Sequence, residues 1–379
     1  MLALQLNFER AKSWLFNSGI SILDSLDKNS GSVHSFYDEK QNKFSFIYPE
    51  ITGYFLSTLR FLYYVEKSNN YLENGQHTAD WLMELNHNNK GIIQGIYNSK
   101  IENTSYSFDT AICVKGILDY YLISNDQKYL QFAKTLILQV EDFLESDGTL
   151  KPLKNLSTNQ FEEHSNVWYK QKGCFHIKNC MPFFQLYKIT NDDLFLKKGI
   201  LICDNISKFQ NDDGSINLHL NNDTINLHTL CYALEGLFYG YYITKNEKYL
   251  ESIRSALIWV ITKIENDGSI KLWFNSKYDE KAAYPIAQLI RLLILFDKIH
   301  DDNFLNHAKK LSDFLLSLQG ESKNIAIMGG FYEGFKKTIF GWKKIPRINS
   351  WTTMFAIQAV YWLDHYDEYD FKTMIEYLY

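Results

Sequence analysis

The sequence predicts an all-α fold, a single (α/α)6 toroid of six helical hairpins that takes up residues 1–379 as one domain, with short strand-like Asp-Gly loops on one rim. Three observations predict it. A helix–turn–helix unit recurs along the whole chain, the two helices of each unit differ in polarity, and a Gly-bearing loop ends each unit.

The unit is an apolar helix, a short polar turn ending in Tyr-Leu or Phe-Leu, a second helix, and a loop usually centred on Asp-Gly or Gly-Ser. Residues 108 to 150 show it most clearly as FDTAICVKGILDYY, ISNDQKYL, QFAKTLILQVEDFL and ESDGTL; residues 228 to 270 repeat it as HTLCYALEGLFYGYY, ITKNEKYL, ESIRSALIWVITKI and ENDGSI. Further first helices begin at Tyr48, Cys174, Tyr284 and Asn349, so six are spaced roughly 50 to 66 residues apart. Partner helices begin near Asn70, Gln127, Asp192, Glu247 and Asn303, and an N-terminal helix from about Asn7 to Leu26 supplies the sixth. A ring that starts on an outer helix and ends on an inner one closes by pairing its two ends.

The first helices are apolar on nearly every side, the mark of a helix buried all round, whereas partners such as QFAKTLILQVEDFL keep a polar face. The first set is therefore expected inside and the second outside. Gly53, Gly116, Ala233 and Gly236 on the inner set allow close approach, which offsets the roughly 1 kcal/mol that a mid-helix Gly costs against Ala. Pro49 and Pro285 fall in first turns of inner helices, where a missing N–H costs nothing.

Six loops lead from partner helices towards the next inner helix: NSGSVHSFYD, NNKGIIQGIYN, SDGTLKPL, NDDGSINLHL, NDGSIKLWFN and GGFYEGF. Asp-Gly followed by alternating residues signals a tight turn into a short strand. These loops are expected on one rim, and the functional site where that rim meets the N-termini of the inner helices.

Composition narrows the function. Aromatic residues make up 16% of the chain, an excess that fits either a core or a sugar-stacking cleft, and a net charge of −5 with interspersed signs argues against a nucleic-acid partner. The five cysteines, Cys113, Cys174, Cys180, Cys203 and Cys231, have neither CxxC nor zinc spacing and read as buried free thiols in a reducing compartment. The N-terminus lacks the order of a secretory signal and no apolar run spans a bilayer, so a cytoplasmic protein without a membrane partner is expected. No metal spacing, phosphate loop or dinucleotide fingerprint is present, so no cofactor is implied. Oligomeric state is not legible.

The six hairpins joined by DG[ST] loops resemble the six-hairpin glycosidase superfamily across essentially the whole chain. The inner-helix starts YPEITGYFLSTL and FDTAICVKGIL are most similar to those of unsaturated glucuronyl hydrolases, which carry a carboxylate at each of two early inner helices. That resemblance implies Glu50 and Asp109 as the catalytic pair, with Glu50 standing where those hydrolases usually have Asp. The N-acylglucosamine epimerases share the toroid and use paired histidines, a role for which His176 and His228 are placed, though without that family's surrounding motifs. FQNDDGSI and SLQGESKN bear a faint similarity to the repeats of terpenoid cyclases, but their terminal Trp is absent and so are DxDD and DDxxD.

Chemistry supports the carboxylates independently: glycoside hydrolysis needs one carboxyl group to protonate the leaving oxygen and a second group to activate water or stabilise the cationic transition state. Acids in a first helical turn are also favoured by the helix dipole alone. His176, Lys178 and His228 are expected to face the bowl, and Arg347 is a fork-shaped clamp for a uronate carboxylate. Tyr48, Tyr97, Trp168, Tyr169, Trp273, Tyr284, Tyr332 and Trp351 lie on loops or at inner-helix starts, and about half are expected to line the cleft by stacking on sugar faces. Glu333 and Asn349 complete the candidate substrate-binding set. The expected function is a glycoside hydrolase acting on a small, possibly uronic-acid-containing oligosaccharide; the alternatives are a sugar epimerase or isomerase, or a non-catalytic glycan-binding toroid.

Overall fold

A computed structural model of the protein describes residues 2–97, 100–101, 103–300 and 303–379. Asn98, the last residue of the second predicted loop, lies outside the described residues. Helix α1 (Leu2–Asn17) precedes the hairpins α2 (Pro49–Glu66) with α3 (Asn70–Asn89), α4 (Ser107–Ser124) with α5 (Gln127–Phe143), and α6 (Cys180–Thr190) with α7 (Asp193–Cys203) and its short continuation α8 (Ile206–Phe209). The hairpins α9 (Leu227–Thr244) with α10 (Glu247–Ile261) and α11 (Ala283–Asp297) with α12 (Phe304–Ser317) follow, then α13 (Ser350–Asp364) and α14 (Phe371–Glu376).

The inner helices pack in a closed circle, α2 on α4, α4 on α6, α6 on α9, α9 on α11, α11 on α13, and α13 back on α2. Helix α1 packs on α13 and so pairs the two ends of the ring. Polarity explains the placement. Every residue of α9 from Thr229 to Gly240 is buried, whereas α5 buries Tyr129, Leu130, Phe132, Ala133, Leu136, Ile137 and Val140, a stripe at helical spacing.

Small residues set how closely the inner helices approach. A Cβ on Gly116 would stand 2.3 Å from the Gly53 carbonyl oxygen, and one on Gly236 would stand 2.6 Å from that of Ile177. Outside, the Asp-Gly loops share one device: Gly148 (φ +83°) and Gly214 (φ +89°) turn left-handed, and a Cβ on either would lie about 2.2–2.3 Å from an outer-helix carbonyl of the next hairpin, Leu201 or Ser255. Gly31, Gly268 and Gly329 repeat it against α3, α12 and α1. The recurring Gly is thus the contact by which five of the six loops grip the following hairpin; in the second loop Gly91 and Gly95 meet the side chains of Leu156 and of Phe46 and Tyr97 instead.

Short strands lie immediately before the inner helices and fix where those helices start. Residues 104–106 pair with 153–155, 225–226 with 273–274, 280–282 with 334–336, and 347–349 with both 36–38 and 331–332. The last sheet joins segments from both ends of the chain.

Three features depart from the sequence reading. The N-terminal helix spans Leu2–Asn17 rather than residues 7–26: Gly19 turns left-handed (φ +91°), and Ser21 bridges Val33 in extended chain. The third inner helix begins as a 3-10 turn, Cys174–Asn179, because Pro182 has no N–H to give the Lys178 carbonyl. Past α13, a segment ending in α14 closes the ring at the inner-helix C-termini, with Glu376 held by Arg60, Lys188 and Tyr242.

Candidate functional site

At the inner-helix N-termini the ring encloses a cavity of about 410 Å³, within the 300–1,000 Å³ typical of small-molecule sites. Glu50, Asp109, His176 and His228 all line it, as do Tyr48, Tyr97, Trp168, Tyr169, Tyr284 and Trp351. Residues from segments up to about 300 positions apart are brought together because the starts of the inner helices and the loops carrying Tyr97, Trp168 and Tyr169 meet at one rim.

Glu50 occupies the first turn of α2 behind Pro49, and Asp109 the first turn of α4. Cys113, one turn below Asp109, donates its thiol to the Pro49 carbonyl at 3.3 Å, and the Gly53–Gly116 contact lies a turn or two further in. These contacts fix the two carboxyl-bearing turns side by side. Both side chains are buried, at 6% and 5% exposure. Burial pushes the Glu50 carboxyl up to about 7, while a hydrogen bond from the Tyr48 hydroxyl and the Lys178 ammonium pull the other way. Glu50 can therefore hold or release a proton near neutrality.

The histidines differ in tautomer. The Gln288 amide nitrogen donates to both Glu235 oxygens at 3.2 Å, so its carbonyl oxygen faces the His228 Nδ1 at 2.5 Å and must accept from it. Neutral His228 thus carries its proton on Nδ1 and leaves Nε2 a bare acceptor. His176 is reversed, since its Nδ1 accepts from the Gly173 N–H at 3.3 Å and Nε2 bears the proton. Burial drops both imidazoles to about 3, so each is neutral at physiological pH.

Beneath the cavity, Glu235 is fully buried between Lys178 and Arg291, each at 2.6 Å. Lys178 was expected to face the bowl. Instead it is sealed at 0% exposure, 4.6 Å from the Tyr232 ring centre, and burial lowers its ammonium to about 8. Tyr232 itself lines the cavity and separates it from the ions.

Five other candidates stand outside the lining. Asn349 is fully buried and uses its side-chain oxygen to cap α13 at the Thr352 N–H. Arg347 pairs with Glu333 at 3.7 Å and lies 4.7 Å from the ring centre of the lining residue Phe36, so its guanidinium stands against the cavity wall without itself lining the cavity. Tyr332 donates to Glu39, and Trp273 packs beside Tyr278. All five were read as rim residues from their places on loops or at an inner-helix start, but these side chains are taken up by the contacts just given and do not line the cavity.

The sequence reading missed Phe36, Phe46, Gln94, Tyr106, Phe108, Phe175 and Tyr232, which also line the cavity. Tyr106 and Phe108 flank an inner-helix start as Tyr48 does, and Tyr232 lies one turn after His228; that spacing was the available signal. Gln288 and Glu235, which orient His228, gave none, because they are mid-helix polar residues on two different helices.

The architecture is therefore an (α/α)6 toroid with an aromatic-walled cavity bearing two carboxyl groups and two histidines at one end. No protein-family model matches the chain, and no curated protein matches it significantly in sequence. Solved structures do match in fold. A cellobiose 2-epimerase from Bacillus thermoamylovorans aligns over 95% of this chain and all of its own at a TM-score of 0.79 and 16% identity. A D-mannose isomerase aligns over 95% and 97% (TM-score 0.75, 12% identity), and an unsaturated glucuronyl hydrolase from Bacillus sp. GL1 over 94% and 97% (TM-score 0.68, 13% identity).

Proposed function

We propose that the protein is a carbohydrate-active enzyme, and specifically a glycoside hydrolase in which Glu50 is the general acid and Asp109 activates water or stabilises the cationic transition state. The observation that carries this reading is the pair of carboxyl groups on adjacent inner-helix starts in one aromatic-walled cavity. Raised to about 7, Glu50 keeps a transferable proton at neutral pH, as a general acid must. The tyrosine and tryptophan walls suit stacking on sugar faces. The fold is one that the hydrolase and epimerase neighbours share.

The uronate part of the expectation is less well supported. Among the described residues, no Lys or Arg lines the cavity; Lys178 is sealed behind the Tyr232 ring, Arg347 lies 4.7 Å from the ring centre of Phe36 and is paired with Glu333, and Lys170 is about 6 Å from the Tyr106 and Tyr169 ring centres. A neutral or N-acylated sugar therefore fits the deep end better, and any acidic group would be directed to the mouth.

A sugar epimerase is the second reading, favoured by the bare Nε2 of His228 as a base. Held at about 3 by burial, His228 is a weak base, and neutral His176 would be a weak proton donor, which places this reading behind the first. The test is turnover of a panel of neutral, N-acetylated and uronate-terminated disaccharides, read as reducing ends released and as solvent deuterium in uncleaved sugar. Cleavage lost in Glu50→Gln and Asp109→Asn but kept in His176 and His228 variants supports the hydrolase. Deuterium in uncleaved sugar, lost in the His228 variant, overturns it in favour of the epimerase. Binding without turnover favours a glycan-binding toroid.

A further inference from the structure

We infer that the β-hairpin Gly334–Lys344 docks the protein on an anionic lipid surface. Its strands, Gly334–Thr338 and Gly341–Lys344, pair Thr338 with Gly341, so Ile339 and Phe340 form a two-residue turn. They are 93% and 94% exposed. Such turns favour Asn-Gly and similar pairs, and a β-branched residue beside an aromatic one gains nothing for the turn itself. Two large apolar side chains held in water serve a contact, not the fold.

The charges behind the tip point to the partner. Lys336, Lys337, Lys343 and Lys344 are exposed, and no Asp or Glu occurs between Glu333 and Asp364, in a chain whose net charge is −5. Lys336 lies directly opposite Lys343, a like-charge pair that weakens a hairpin in isolation. Glu280 lies directly opposite Lys336 across the other edge of the strand, and the Lys337 N–H donates to the Asp279 carbonyl at 2.9 Å, so these two acidic residues flank the side of the hairpin below the Ile339–Phe340 turn. Trp342 stands behind the turn, with Lys337 about 5.0 Å and Lys281 about 4.9 Å from its ring.

Apolar tip, then tryptophan, then lysines is the order of depth in a bilayer: acyl chains, interface, anionic headgroups. A polyanionic glycan could use the lysines but would leave the fully exposed Ile339–Phe340 tip unused, whereas a lipid surface takes up the apolar tip, the tryptophan and the lysines together, which favours lipid. Among the described residues no helix is long and apolar enough to cross a membrane, so the contact is with the membrane surface. It is independent of the hydrolase reading. The hairpin is rooted on Glu280–Ala282, just before the cavity residue Tyr284, so docking would occur at the rim.

The test is co-sedimentation of the full chain with phosphatidylcholine vesicles, with and without phosphatidylglycerol, at low and high salt. Binding is expected only with phosphatidylglycerol and should weaken with salt. Lys343→Glu with Lys344→Glu should weaken it roughly 30-fold or more, at about fivefold per basic residue. Ile339→Ser with Phe340→Ser should weaken it at least about tenfold, with an unchanged thermal midpoint because the tip packs on nothing. Equal binding to both vesicles, or phosphatidylglycerol binding that all variants retain, would overturn the proposal. So would dependence on the lysines but not on the tip, the pattern of a polyanion or acidic-protein site.

Discussion

The Nδ1 of His228 donates to the Gln288 carbonyl oxygen at 2.5 Å, and the Gln288 amide nitrogen is committed to Glu235. A buried carboxylate held between Lys178 and Arg291 thus fixes, through one neutral amide, which ring nitrogen of His228 faces the cavity. The amide passes no charge to the ring, and burial keeps His228 neutral while its orientation is set.

Replacing Gln288 with Leu should release this orientation. His228 Nδ1 and Glu235 would each lose a buried partner, at about 1–3 kcal/mol in urea-unfolding stability, and the effect on turnover should be smaller than that of Glu50→Gln. An effect on turnover as large as that of Glu50→Gln would make His228 the principal acid or base.

Glu50→Gln should lower kcat by roughly 10²–10⁴-fold with the fold intact. In the parent protein, activity should fall as pH rises through about 7, where Glu50 gives up its proton. A profile flat across that range would remove Glu50 from the acid role.

Stability should respond to pH with opposed contributions. His176 and His228, ordinarily near 6.5 but held at about 3, bind protons in the unfolded chain first; their stabilisation is complete above 6.5 and lost as pH falls towards 3. Glu50, raised from 4.5 to about 7, contributes fully below 4.5 and loses that contribution as pH rises through 7. The histidines outnumber it, so these groups together should lower stability between about pH 6.5 and 4.5 as pH falls. Urea unfolding should find Glu50→Gln more stable than the parent above about pH 7, by a few kcal/mol at most. His228→Gln should show a shallower acid loss than the parent.

Gly116→Ala should cost about 1–3 kcal/mol, because the new methyl meets the Gly53 carbonyl and the helices must part. Since that contact holds the turns bearing Glu50 and Asp109 together, turnover should fall more than the stability loss alone explains. Ala233, already bearing a methyl, provides a control: Ala233→Gly should destabilise without that added loss of activity.

Much of this molecule could be read from local pattern. Helix periodicity, the Gly-bearing turn after each outer helix and the all-round apolarity of the inner set predicted a toroid, and Glu50, Asp109, His176 and His228 were singled out as residues at the starts of inner helices. Those signals are local: they depend on spacing within one helix or one turn, which the chain carries in its order. What only the tertiary structure decided was which side chains face the cavity. Lys178 lies one turn from the mouth, yet Glu235 draws it below Tyr232, and Asn349 is absorbed by the cap it makes. The C-terminal closure through Glu376 and the His228–Gln288–Glu235 relay join helices distant in sequence. Their partners are set by the packing of one ring against itself, which no short window of the sequence encodes.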